Sequence, residues 1–206
     1  MKLTVFGASS PTGKQLLEKA LEKGHEVTAY VRDEAKVGII HPNLQVVCGD
    51  ALKYEDVEPA VRGRDAILSA LGPKGKPAVM AAESTKNIVN AMEKNGVKRL
   101  ILVSVAGITV PQDQRGKNIV DSLLKVFLKD VFLDRENQLA VLDASKVDWV
   151  AVRVPRLTDE TGTGLVRPFF GKPSPTMKLT RADLADFMLE QLSTDQWLKQ
   201  APILRN

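Results

Sequence analysis

The chain has 206 residues, 44% of them hydrophobic, enough to bury one substantial core but few for a dinucleotide domain joined to a separate catalytic domain. A formal charge of +4 and a pI near 9.1 suit an anionic ligand, but the basic residues are dispersed, which argues against nucleic-acid binding. One cysteine, Cys48, and two histidines, His25 and His41, provide neither an internal disulfide nor a zinc-ligand pattern, so no metal site is readable.

The first ten residues run straight into a strand-like stretch without a charged n-region and a long apolar segment. No signal peptide or membrane anchor is expected, and a cytoplasmic location is the default. The first strand is expected over Leu3 to Phe6. A helix follows with Leu16, Leu17, Ala20 and Leu21 on one face and Gly24 as its stop. Further strands are expected over Val27 to Val31, Leu44 to Val47, Ala66 to Ser69, Leu100 to Val103 and Trp149 to Val154. Their apolar character is continuous rather than alternating, as in parallel strands covered on both faces. A helix over about Ala78 to Lys94 gathers Ile88, Val89 and Met92 and stops at Asn95-Gly96. Gly162 to Pro175 is rich in Gly and Pro and reads as a loop or irregular edge. Thr180 then caps a last helix carrying Asp183, Leu184, Phe187, Met188 and Leu189. The repeated βαβ order predicts an α/β fold, a doubly wound and mostly parallel sheet of the NAD(P)-binding Rossmann type, in one domain over residues 1–206.

Between the first strand and first helix stands Gly7-Ala8-Ser9-Ser10-Pro11-Thr12-Gly13. Gly7 allows a sharp turn, Ser10 can cap the helix, Pro11 fits its first turn, and Gly13 permits close approach of helix to strand. The N–H groups and positive helix end would face a pyrophosphate. Gly7 and Gly13 match the outer glycines of a G-x-x-G-x-x-G pattern, with Ser10 in the middle place, where its hydroxyl can donate a hydrogen bond.

About 20 residues further on, where NAD-selective sites carry an acid, stands Arg32, whose planar fork can bind a 2′-phosphate, with Lys36 assisting. NADPH is the expected cofactor, with NADH the alternative because Asp33 adjoins Arg32. Asp50 and Ala51 after the third strand, and Leu71-Gly72 after the fourth, fall on the edge where open parallel sheets bind ligands. Asp50 is placed to accept from the adenine amino group and Leu71-Gly72 to pass beneath the adenosine ribose.

Taken in order, GASSPTG (Gly7 to Gly13), VRD (Val31 to Asp33), GDAL (Gly49 to Leu52), ALG (Ala70 to Gly72), KNIVNAM (Lys86 to Met92) and WVAVRVP (Trp149 to Pro155) span most of the chain. In these motifs it resembles the atypical short-chain dehydrogenase/reductases of the NAD(P)H-binding, NmrA-like group, and most of all the biliverdin reductase B/flavin reductase family. The resemblance implies a monomeric, cytosolic NADPH-dependent reductase of planar acceptors such as FMN or a bilin. It also extends the cofactor site to Val103, Ser104, Pro155 and Arg156.

Three departures shape the expected chemistry. The Y-x-x-x-K pair of the tyrosine-using branch is missing, since Tyr30 and Tyr54 are followed four residues on by Glu34 and Glu58. After the fifth strand only Ser104 remains of two small hydroxylated residues, and Arg156 stands where the family has a histidine. An arginine can hold a phosphate or propionate but cannot serve as a general acid. Hydride transfer to a flavin, quinone or bilin-like acceptor is therefore expected over alcohol chemistry, with Ser104 as the candidate catalytic contact. The acceptor side is expected from loops near residues 107–135 and 156–178. There Leu123, Leu124, Phe127, Leu128, Val131 and Phe132 form an apolar run, and Arg115, Lys117, Arg153, Arg156 and Arg167 can attract an acidic acceptor. The rival reading is a redox sensor that binds NADP(H) without turnover and regulates a protein partner.

Overall fold

A computed structural model describes residues 1–72, 80–113 and 129–206. Six parallel strands form most of its sheet: β1 (Lys2–Phe6), β2 (Glu26–Val31), β3 (Leu44–Cys48), β4 (Ala66–Ser69), β5 (Arg99–Val105) and β6 (Asp148–Val154). They lie in the order β3-β2-β1-β4-β5-β6. Each matches an expected strand to within two residues. The helices are α1 (Pro11–Glu22), α2 (Tyr54–Val61), α3 (Ala81–Asn95), α4 (Lys129–Asp143) and α5 (Arg181–Glu190). The third helix begins at Ala81 rather than near Ala78, which lies outside the described residues, and ends at Gly96 in the left-handed region (φ 70°). No helix among the described residues is long and apolar enough to cross a membrane.

The continuous apolar strands are explained by burial on both faces. In β1, Leu3 and Val5 join Leu16, Leu17 and Ala20 of α1 and Leu184, Ala185 and Met188 of α5 in one core layer. Phe6 joins Val57 and Val61 of α2, Ile88 and Met92 of α3, and Leu142 of α4 in the other. Between them Thr4 turns its hydroxyl to the Ala60 carbonyl of α2 at 2.6 Å, so its buried polar atom is satisfied.

Four short strands escape sequence reading: β7 (Arg156–Thr158), β8 (Arg167–Phe169), β9 (Lys178–Thr180) and β10 (Ile203–Arg205). β10 extends the sheet in parallel beside β6, and β8 closes it antiparallel to β10, while β7 and β9 pair separately. The segment over Gly162 to Pro175, expected as a loop or irregular edge, thus contributes the outermost strand, and Pro168 is tolerated there because an edge strand needs fewer ladder donors.

That segment is fastened by Asp183. Its carboxylate accepts from the N–H groups of Thr163 (2.9 Å) and Gly164 (2.9 Å), the Thr180 hydroxyl (2.8 Å) and the Asn206 amide, while Thr180 caps α5. Burial alone would raise its pKa, but these donors outweigh burial and hold it at about 2. A depressed carboxylate pKa stabilises the fold above its unfolded value of about 3.9, and the stabilisation disappears as pH falls through about 2. Asp183→Asn should therefore cost about 2 kcal/mol at neutral pH and flatten the acid limb of stability between about pH 5 and 2. Urea unfolding of both proteins across that range checks this, and an unchanged acid limb would contradict it.

Candidate functional site

The turn from β1 into α1 follows from local chemistry. Gly7 sits at φ 74°, and a Cβ there would lie 2.8 Å from the carbonyl carbon and oxygen of Ala70. The turn can approach the end of β4 this closely only with glycine. Ser10 N–H donates to the Gly7 carbonyl at 3.0 Å, and Ser10, extended at φ −75° and ψ 158°, caps α1 by accepting from Gly13 N–H at 3.0 Å. The cap uses a lone pair, so the hydroxyl hydrogen is left to donate. Pro11 opens the helix, and a Cβ on Gly13 would run into the Gly7 carbonyl oxygen and Ala8. No acidic side chain stands in the first turn to neutralise its positive end.

Beside this turn lies an open cleft with a cavity volume of about 80 Å³, at the point where strand order reverses between β1 and β4. Gly7, Ser9 and Ser10 line it from the turn, with Tyr30, Val31 and Arg32 from the end of β2. Gly49 and Ala51 follow from β3, Ala70, Leu71 and Gly72 from β4, and Met80 from the start of α3. Arg32 is exposed. Its neighbour Asp33 is turned elsewhere, accepting from Ala35 N–H at 3.1 Å and pairing with Lys36 at 2.8 Å. The Lys36 ammonium holds the Asp33 carboxyl below its ordinary range. Arg32 has no carboxylate partner among the described residues.

Tyr30 forms part of the cleft wall while only 2% exposed, tilted against Phe6 with ring centroids 4.6 Å apart. A Cβ at Gly49 would meet the Tyr30 phenol, which accounts for the glycine. Burial, then the charges of Asp56 and Asp50, push the phenol pKa well above its ordinary value, so it stays protonated. Its hydroxyl has no partner among the described residues. A cradle kept clear by Gly7, an unpaired guanidinium and an unsatisfied phenol together fit a phosphorylated nucleotide.

Several expected contacts lie elsewhere. Thr12 and Gly13 are buried, and with Pro11 they shape the turn without lining the cleft. Lys36 is occupied by Asp33. Asp50 forms a local turn, its Oδ1 accepting from Leu52 N–H at 3.0 Å, while its own N–H donates to Asp56 at 3.0 Å. Only its neighbours Gly49 and Ala51 reach the cleft. Val103 and Ser104 stand near the carboxyl end of β5, outside the lining, and Ser104 is wholly buried with an Oγ that has no partner among the described residues. Pro155 and exposed Arg156 follow β6, also outside the lining.

Arg153 corrects a further expectation. It is wholly buried and pairs bidentately with Asp113 at 2.7 Å on both nitrogens, while Nε and Nη1 donate to the carbonyls of Ala201 and Ile108. Burial would raise the Asp113 pKa, but Arg153 and the N–H groups of Val110 and Gly171 hold it below the ordinary range. Its charge is internally neutralised and cannot attract an acceptor. Arg115, Lys117, Leu123, Leu124, Phe127 and Leu128 lie outside the described residues. Val131 and Phe132 belong to α4, with the Phe132 ring packed where a Cβ on Gly107 would fall.

Sequence reading missed Asp134 and Arg135, both buried on α4. Asp134 accepts from Met80 N–H (2.9 Å), Ala81 N–H (2.7 Å) and Ala82 N–H (3.0 Å), capping α3 from a distance of 52–54 residues. The available signal was Met80, an N-cap residue with no side-chain acceptor oxygen, which obliges the first donors of α3 to find a partner elsewhere.

Residues 7–195 match the NAD(P)H-binding family model. The chain belongs to the NAD(P)H-binding family. A nicotinamide dinucleotide is therefore its cofactor, in agreement with the resemblance to atypical short-chain dehydrogenase/reductases. It is 25% identical over 166 residues to YwnB of Bacillus subtilis, an uncharacterised protein, covering 79% of this chain and 75% of that one. Several other curated relatives are longer, and the chain spans 30–40% of their length. Among solved structures it is similar to the oxidoreductase ylbE of Lactococcus lactis, with a TM-score of 0.82 and 24% identity over 100% of this chain and 91% of that chain. It is also similar to ChuY of Escherichia coli O157:H7, an anaerobillin reductase, with a TM-score of 0.81 and 21% identity over 100% and 97%. These likenesses establish the Rossmann-type fold.

Two glycines of the cleft should respond differently. Gly7→Ala places a Cβ against fixed backbone at a positive φ and should cost at least about 2 kcal/mol, together with nucleotide affinity. Gly72 has nothing within 4 Å of a built Cβ, so Gly72→Ala should change stability by less than about 1 kcal/mol. Denaturant unfolding of the two variants compares them directly.

Proposed function

We propose that this chain is an NADPH-dependent reductase delivering hydride to a planar flavin, quinone or bilin-like acceptor. The observation that carries the cofactor choice is Arg32 at the cleft rim, unpaired among the described residues, with the adjacent acid neutralised by Lys36. The guanidinium can bind a 2′-phosphate bidentately, where an acid would repel it. The turn from Ser9 to Gly13 would hold the pyrophosphate against the positive end of α1, with the Ser10 hydroxyl donating. The Leu71-Gly72 segment would run beside the adenosine ribose.

When bound, the nicotinamide supplies the hydride. The protein's part is to orient it and exclude water. Tyr30 and Tyr54, the two tyrosines of the chain, are followed four residues on by Glu34 and Glu58, so no Tyr-Lys pair is available to deliver a proton. That supports acceptors whose reduced form takes its proton from water, and it disfavours ketone or sugar-nucleotide chemistry, which needs a positioned acid. The reductase activity in ChuY's name agrees with this class. Arg156 on β7 and Arg167 on β8, both exposed, would hold an acceptor's phosphate or carboxylate, and Ser104 would serve the nicotinamide side after a local rearrangement that uncovers it.

The missing Tyr-Lys pair also fits a redox sensor, so turnover decides between the two. Loss of nicotinamide absorbance should follow addition of FMN, a quinone or a bilin to protein and NADPH. Binding without oxidation by any of them would favour the sensor. Arg32→Ala should weaken NADPH binding by about tenfold to a hundredfold and leave NADH within about threefold. Equal losses for both cofactors would remove Arg32 from this role.

A further inference from the structure

The buried face in the middle of α4 is polar, with Asp134, Arg135 and Gln138, where a helix in this position would be expected to present apolar residues. Arg135 is 3% exposed, and burial depresses its pKa, offset in part by the adjacent charge of Asp134. It donates through Nη2 to the Leu71 carbonyl at 3.2 Å and through Nη1 to the Val103 carbonyl at 3.2 Å and Gln138 Oε1 at 3.1 Å. Gln138 in turn donates to Thr85 of α3 at 2.9 Å.

The two carbonyls come from different strands. The ladder between β4 and β5 ends at Ser69 with Leu102, and beyond that pair the strands part. Leu71 and Val103 lie just past the fork, and one guanidinium spans it. Leu71 lines the cleft beside the Gly7 turn, and Val103 precedes Ser104 on β5. Burying a cation to hold two carbonyls is costly unless the geometry it fixes matters, because an apolar side chain could fill the same volume. Asp134 reinforces the arrangement by fixing the start of α3 at Met80, also on the cleft wall.

We propose that Arg135 is a positioning residue that couples the two halves of the bound dinucleotide. It ties the β4 end, beside the adenosine half, to the β5 end, beside the nicotinamide half. The inference rests on the NADPH reading of the cleft. It makes a specific demand: the adenosine half should bind to the turn, Arg32 and β4 without the clamp, whereas the gain from adding the nicotinamide half should need it.

The test measures dissociation constants of adenosine 2′,5′-bisphosphate and NADPH for wild type, Arg135→Lys and Arg135→Gln, with melting temperatures in parallel. Lysine keeps the charge but cannot bridge both carbonyls with a planar fork, so it retains the fold if glutamine does not. Both variants should bind the bisphosphate within about threefold of wild type and lose about tenfold or more for NADPH. Parallel losses for the two ligands, or lowered melting temperatures with both affinities intact, would make the clamp purely structural and overturn the inference. A wild-type protein that binds NADPH while the variants behave in that way leaves the cofactor reading standing. One that binds neither ligand overturns both.

Discussion

At Gly7 the chain enters the left-handed region with its Cα pressed against the end of β4, close enough that a single methyl group would strike the Ala70 carbonyl at 2.8 Å. From that contact the rest of the carboxyl edge is set. The turn must be tight for α1 to start where it does, Ser10 must be extended to cap it, and Gly13 must lack a side chain because Gly7 and Ala8 lie directly beneath. A cleft then opens between this turn and the ends of β2, β3 and β4, with a helix N-terminus on one wall and Arg32 on another. The chemistry favoured there is recognition of a nucleotide phosphate, since donors and positive charge converge and no lining side chain among the described residues is acidic.

On the other side of the fork between β4 and β5 the design depends on buried charge. Asp134 and Arg135 sit next to each other on α4, yet neither is paired directly with the other's head group. The carboxylate is spent on three N–H donors of α3 and the guanidinium on two strand carbonyls and Gln138. Arg153 and Asp113 form a second buried pair linking the loop after β5, β6 and the segment leading into β10. Each of these four side chains makes at least three hydrogen bonds, the kind of pairing under which buried charge specifies geometry rather than weakening the fold.

This division explains what could be read from the amino-acid order. The six main strands and the Gly7–Gly13 turn are legible because they rest on continuous apolar runs and on local cap and turn chemistry. β7 to β10 are not, since three-residue strands carry no period and take their partners from distant parts of the chain. Lys36 and Asp50, residue types suited to a ligand, stand outside the cleft lining, and each has a short-range partner that the amino-acid order does not announce, Asp33 for one and the Leu52 N–H for the other. Arg153 looked like a surface cation because its partner Asp113 is 40 residues away. Asp134 and Arg135 were invisible for the same reason, as charged neighbours on a helix ordinarily face water.

The family fixes a nicotinamide cofactor, while the proposed preference for NADPH rests on one side chain and the environment that leaves it unpaired among the described residues. A crystal structure of the NADPH complex tests that claim most directly. The account predicts the pyrophosphate against the Ser9–Gly13 turn and the 2′-phosphate within hydrogen-bond distance of the Arg32 guanidinium, with Asp33 still turned to Lys36. A 2′-phosphate held by other residues while Arg32 points into solvent, or a nucleotide lying outside the cleft between β1 and β4, would contradict it.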